Sequence, residues 1–180
     1  MRSRFDFRGG VHAPACQAER RIPAATMDHM TERIRIDAAA ELDLPQLIGL
    51  FEAYRGFYGR APDRDATRSF VRERIATRDT RFFLARERTT IVGFVHLQPF
   101  LDTLELRPMW VLEDIFVRPE SRRLGVGAAL MRHAESHARA TGAHRMLLST
   151  AWDNATAQRL YQAHGWHRDQ TFWHYEKVVA

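Results

Sequence analysis

The stretch that decides the fold is Leu112 to Leu130, Leu-Glu-Asp-Ile-Phe-Val-Arg-Pro-Glu-Ser-Arg-Arg-Leu-Gly-Val-Gly-Ala-Ala-Leu. It reads as a buried strand, a tight turn rich in Arg and Gly, and the first turn of an amphipathic helix. A helix N-terminus presents backbone N–H groups that lack intrahelical partners, and the helix dipole favours negative charge there. A strand, a glycine turn and a helix start therefore form a site for an anionic phosphate.

Working outward, apolar spacing places the other elements. Arg33-Ile34-Arg35-Ile36 alternates as a short first strand, and Asp37 is the expected helix cap. Leu42, Leu44, Leu47, Ile48, Leu50, Phe51 and Tyr54 form a helical stripe that ends in Tyr54-Arg55-Gly56-Phe57-Tyr58-Gly59. After Pro62-Asp63 a second helix runs to about Thr77. Arg81 to Arg86 and Thr90 to Leu97 form a hairpin turning near Arg88-Thr89, and Pro108 to Val117 is the long central strand. Val126 to Thr141 is a helix stopped by Gly142. Met146 to Leu148 is a strand, and Asp153 or Asn154 caps a helix reaching about His164. Phe172 to Val179 is expected as a closing strand, with a short extra one near Trp166. The order β-α-α-β-β-β-α-β-α-β predicts an α+β class with a mixed sheet.

With 180 residues, 45% hydrophobic and 27% charged, the chain has the length and composition of one soluble domain. No apolar run of about eighteen residues is present to span a membrane. Residues 1–30 carry Gly9-Gly10, Pro14 and Pro23 without either period, and read as a disordered extension or upstream sequence before a domain over 31–180. The single cysteine, Cys16, forms no internal disulfide and fits a reducing cytoplasm. The formal charge of +5 comes from arginines mixed with acids along the chain, a solvated surface rather than a nucleic-acid patch. His133 and His137, at i and i+4, have no further ligands in sight, so no metal is expected.

Arg122-x-x-Gly125-x-Gly127 lets the backbone approach a phosphate and adds charge-assisted donors. A dinucleotide fingerprint needs a third glycine where Leu130 stands, and a P-loop needs a Lys-Ser/Thr pair, so both are excluded. Val117-Arg118-Pro119 precedes the turn. Ala134-Glu135, Gly142, Met146-Leu147-Leu148, Asn154, Leu160-Tyr161 and Gly165-Trp166 follow it in order.

In this set the sequence resembles the GNAT superfamily of acyl-coenzyme-A-dependent N-acetyltransferases, over roughly Arg33 to Tyr175 and most closely from Leu112. The strand Leu112 to Val117 looks like that of the polyamine (diamine) acetyltransferase branch. The resemblance implies a mixed, mostly antiparallel central sheet flanked by helices, with acetyl-CoA as acyl donor and no metal. It implies that the backbone of Ile115, Phe116 and Val117 pairs with the pantetheine arm. The pyrophosphate then sits on Arg122, Arg123, Leu124, Gly125, Val126, Gly127 and Ala128, and Asn154 contacts the cofactor while also suiting a helix cap. Tyr161 matches the family tyrosine that protonates the departing thiolate, and Glu113 is the expected general base. Alternation along the strand puts Glu113 and Asp114 on opposite faces. Tyr54 and Tyr58 lie where the family places its acceptor-binding loop, and aromatic faces hold alkylammonium groups.

The expected reaction is direct acetyl transfer to a primary amine, a small cationic one first. The alternatives are a protein or peptide amine, or a non-catalytic CoA-binding module. A homodimer is expected from the family, and neither nucleic acid nor membrane as partner.

Overall fold

A computed structural model of the chain describes residues 34–179. Residues 1–30, Arg33 and Cys16 lie outside that range. Five strands form one sheet in the order of the sequence: β1 (Ile34–Ala38), β2 (Arg81–Glu87), β3 (Thr90–Asp102), β4 (Arg107–Val117) and β5 (Met146–Leu148). The first three pairings are antiparallel and β4–β5 is parallel, giving the expected mixed, mostly antiparallel sheet. Between β1 and β2 lie α1 (Leu44–Phe57) and α2 (Arg64–Thr77); α3 (Val126–Ala140) links β4 to β5, and α4 (Ala155–Ala163) follows.

The sheet is buried on both faces, so its strands read as continuous apolar runs. Phe82, Leu84, Phe94 and Phe116 point to one side and pack on Leu47, Leu50 and Phe51 of α1 and Val71 of α2. Phe83, Ala85, Val95, Leu97 and Leu112 point to the other, onto Leu130, Met131 and Ala134 of α3 and Tyr161 of α4. Full burial of one such side chain contributes about 1.5–3 kcal/mol.

Asp37 does not cap a helix. It sits in β1 and pairs with Arg86, Nε to Oδ1 at 2.8 Å, while Arg86 also reaches Asp43 Oδ2 at 2.7 Å. Asp43 in turn accepts the Ala40 N–H at 2.9 Å, so it satisfies a backbone donor at the entry to α1. Leu42, expected in the apolar stripe, lies before α1 and is exposed. Asp63 caps α2 through the Ala66 N–H at 3.0 Å.

Beyond α4 the described residues form no strand, neither near Trp166 nor over Phe172–Val179, and the aromatic residues of that second segment are exposed. Its β-propensity finds no ladder, because propensity alone supplies no partner. Glu135 is half-buried and accepts the Trp166 indole N–H at 2.9 Å, fixing the chain as it leaves α4.

The feature that sets the site is a bulge. Across β3 and β4, His96 lies opposite Asp114 and Leu97 opposite Leu112, so Glu113 is an extra residue on β4. Alternation therefore restarts. Leu112 and Ile115 both face α3, while Asp114 and Phe116 turn towards α1.

Candidate active site

The glycine turn has the geometry its sequence implies. After β4 come a single 3-10 turn (Pro119–Ser121) and then Arg122 to Gly125. Arg123 (φ 62°) and Gly125 (φ 78°) are both left-handed, which turns the chain into α3. Gly125 occupies the N-cap and offers no capping side chain, so the N–H groups of Val126, Gly127 and Ala128 keep the unpaired character of a helix start. Space beside Gly125 is open, with no atom within 4 Å of where a Cβ would stand. These are the conditions for a pyrophosphate on backbone N–H groups, and the turn fits that group.

Next to the turn the sheet opens. β5 pairs only with Trp110 to Leu112. Among the described residues no strand covers the far edge of β4 from Glu113 to Val117, so Ile115, Phe116 and Val117 border a gap suited to an extended polar arm. The Val117 carbonyl already accepts a hydrogen bond from Arg122 Nε at 3.0 Å. Arg122 does not point along the helix N-terminus. Its guanidinium carbon lies 5.5 Å from the Phe116 ring centroid and 5.7 Å from that of Phe57. Arg123 is exposed, and Leu124 half-buried against the core.

Tyr161 lies on the inner side of α4, 8% exposed, its ring 6.4 Å from Trp166. Burial pushes its phenol up to about 12, with nearby Tyr58 adding to the shift and a hydrogen bond with Thr150 opposing it. The phenol is thus a neutral proton donor at ordinary pH. Asn154 caps α4, its Oδ1 accepting the Ala157 N–H at 3.2 Å. Gly127 lies beneath α4, where an added Cβ would be 3.4 Å from Leu160. The glycine turn and the helix bearing Tyr161 are therefore in contact.

On the α1 side stands an aromatic cluster. Tyr54 packs edge-on against Tyr58 (5.3 Å), Phe94 (5.8 Å) and Phe116 (6.0 Å). Its hydroxyl donates to Asp114 Oδ1. Burial, followed by that carboxylate, holds the Tyr54 phenol well above its ordinary value, and burial does the same for Tyr58 with Asp114 assisting. The segment between α1 and α2 is pinned by Glu52, which accepts from the Thr67 hydroxyl, from Arg55 at 2.8 Å and from the Asp63 N–H at 2.8 Å. Hydrogen bonds from Thr67 and Arg55 hold Glu52 below the usual carboxylate range.

Glu113 is exposed at the bulge. Asp114, which alternation set opposite Glu113, and His96, which the sequence did not single out, form the polar pair beside this cluster, with His96 Nδ1 3.0 Å from Asp114 Oδ2. Strict alternation hid them, since it allots faces from one residue to the next and cannot register an inserted residue. The pattern Leu112, Ile115, Val117, with its three-residue step, was the available signal. His133 and His137 form edge contacts to Phe83 at 4.5 and 4.9 Å. Among the described residues no group of three metal-binding side chains occurs.

Residues 31–166 match the model of the acetyltransferase (GNAT) family. An N-acetyltransferase of Bacillus subtilis (strain 168), YhfO, described as uncharacterized, is 30% identical over 142 residues, covering 79% of this chain and 95% of its own length. A probable acetyltransferase of Haemophilus influenzae is 32% identical over 119 residues, 66% of this chain and 82% of that protein. The crystal structure of a probable acetyltransferase superposes with a TM-score of 0.76 at 36% identity, over 81% of this chain and 98% of that one. With the family model matching residues 31–166 and a relative 30% identical over most of its length, this chain belongs to the acetyltransferase (GNAT) family.

Proposed function

We propose that the domain over residues 31–180 transfers an acetyl group from acetyl-CoA to a small cationic primary amine by direct attack in a ternary complex, as in the polyamine acetyltransferase branch. The observation that carries this reading is the convergence around one opening. The uncapped α3 N-terminus adjoins the free β4 edge, and the Tyr54–Asp114 pair stands on the α1 side of the same strand.

The backbone N–H groups from Arg122 to Ala128 would hold the pyrophosphate, and Ile115 to Val117 would align the arm. When bound, acetyl-CoA supplies an activated thioester carbonyl. An aliphatic ammonium has a pKa near 10, and only the neutral amine attacks. Glu113, directly or through water, takes that proton. A backbone N–H of β4 stabilises the oxyanion as the C–N bond forms. Tyr161 gives its proton to sulfur as the C–S bond breaks.

The cluster of Tyr54, Tyr58 and Asp114 supports a small acceptor over a peptide, because aromatic faces and a carboxylate suit a compact cation. A cytoplasmic homodimer is the setting we propose, from the single cysteine and the family's habit. Incubating the purified protein with acetyl-CoA and a panel of amines and peptides, while following free thiol, tests the reaction. Thiol release with small amines and not with peptides is expected. Tight CoA binding without thiol release from any acceptor would identify a binding module instead.

A further inference from the structure

For Tyr161 to protonate sulfur, α4 must stand at a fixed angle to the turn that starts α3. With nine residues, α4 is too short to be stable alone, so its seat comes from its neighbours. One hold lies at the start of α3, where Leu160 comes within 3.4 Å of the place a Gly127 Cβ would take. The other lies at the far end of α4. Gly165 is left-handed (φ 80°) and reverses the chain. The Trp166 N–H then donates to the Tyr161 carbonyl at 3.0 Å, and the Gly165 N–H to the Gln162 carbonyl at 3.0 Å. These are the two bonds of a Schellman turn, and they tie the backbone of Trp166 to that of Tyr161. Glu135 of α3 takes the side chain of the same tryptophan. Its Oε1 accepts the Trp166 indole N–H at 2.9 Å and lies 3.4 Å from His164 Nδ1.

From this we infer that Glu135 is a positioning residue for Tyr161: by holding Trp166 to α3 it sets the aim of the phenol relative to the glycine turn. The inference rests on Tyr161 being the proton donor to sulfur, and it adds the residue that keeps the donor in place. The Glu135 side chain is 20% exposed and that of His164 11%. A carboxylate so far withdrawn from water must find donors, and those it finds flank the glycine that ends α4.

Two holds are needed because one leaves a hinge. Gly127 and Glu135 lie about 12 Å apart along α3 at 1.5 Å per residue, so together they fix both ends of the contact with α4. The Trp166 indole packs on the same core layer as Tyr161, ring centroids 6.4 Å apart. Releasing it frees the end of α4 that follows Tyr161 and leaves the N-terminus of α3 untouched. Proton transfer requires donor and acceptor within about 2.6–3.2 Å, so a small drift of α4 is felt at sulfur and not at the pyrophosphate.

The test follows thiol release by the full chain at saturating acetyl-CoA, with butylamine as the probe acceptor. Glu135→Ala and Trp166→Phe, which keeps an aromatic ring and loses the N–H, should each lower kcat about tenfold, the effect of a modest misplacement. Calorimetric affinity for CoA should not move. Glu135→Gln, whose amide oxygen still accepts the indole N–H, should keep most of the parent's kcat. In a Tyr161→Phe background, Glu135→Ala should cost nothing further, because both changes remove the same proton transfer. Parent-like turnover in Glu135→Ala, or a full second loss on top of Tyr161→Phe, overturns the assignment. A Tyr161→Phe variant with the parent's kcat sinks the proton-donor reading, and the purpose of the clamp with it. Should Glu135→Ala fail to fold, Trp166→Phe carries the comparison in both backgrounds. Should butylamine release no thiol from the parent, spectra of protein labelled with ¹³C in its tyrosine rings decide. The Tyr161 signal, identified by its loss in Tyr161→Phe, should shift in Glu135→Ala and stay in Glu135→Gln, and a signal unmoved in both overturns the clamp.

Discussion

Tyr161 and Glu113 divide the proposed chemistry between a buried and an exposed group, and their variants should differ accordingly. With its phenol pushed up to about 12, Tyr161 keeps its proton throughout the range in which the enzyme is assayed. Tyr161→Phe should therefore lower kcat by about 10²-fold, the scale of general acid catalysis, and by a similar factor at each pH from about 6 to 9. Binding of CoA, measured by calorimetry, should change little. Glu113→Gln should instead alter the shape of the pH–rate profile, because the proposed role of that carboxylate is to take the proton of the amine. Two variants that behave like the parent would remove both residues from the mechanism. Tyr161 was legible from its place after Asn154 and before Gly165-Trp166. Asp114 and His96 were not, because their meeting depends on a register shift between strands that no single strand's pattern reports.

Among the elements, those with local signals were the most legible. Asp63 and Asn154 cap helices as their positions suggest, because a short polar side chain satisfies an orphan N–H within three residues. Asp37 misled for the complementary reason: its partner, Arg86, is 49 residues away. The closing strand at Phe172–Val179 failed similarly, since a strand exists only with a neighbour. Gly93 carries information that sequence could not supply. A Cβ there would stand 2.9 Å from the Phe116 carbonyl oxygen, a backbone atom, and 3.2 Å from Leu130 of α3. This close approach lets α3 and the end of β4 pack over β3. Gly93→Ala should then destabilise the fold by about 1–3 kcal/mol, the usual cost of overpacking. In a thermal melt that is a fall of about 2–4 °C per kcal/mol for a domain of this size. A melt within 1–2 °C of the parent would show that the strands part without strain.

At the scale of the whole molecule, the two apolar layers were readable because each strand from Phe82 to Phe116 is apolar on both faces, which demands cover on both. What that cover contains beyond hydrocarbon is where the last prediction lies. His133 and His137 sit on the α3 layer against Phe83, and His137 also lies 5.0 Å from Trp110. Burial holds both imidazoles below the ordinary value, with nearby Arg81 and His133 adding to the effect at His137 and Asp37 opposing it at His133. Above the unfolded-state value of about 6.5 both states bind the same number of protons, and the full stability is present. As the pH falls below about 6.5, the unfolded chain takes up protons that the folded one refuses, so stability is lost until the folded-state values are reached. The slope approaches about 1.4 kcal/mol per pH unit for each histidine. Asp43, Asp102 and Asp169, all held below the usual carboxylate range, add their own loss only at more acid pH. Urea unfolding at pH 7.5, 6.5 and 5.5 should therefore show stability falling mainly across the lower interval in the parent. In the His133→Phe/His137→Phe double variant that fall should be much reduced. An unchanged slope in the double variant would assign the acid sensitivity to groups outside the α3 layer.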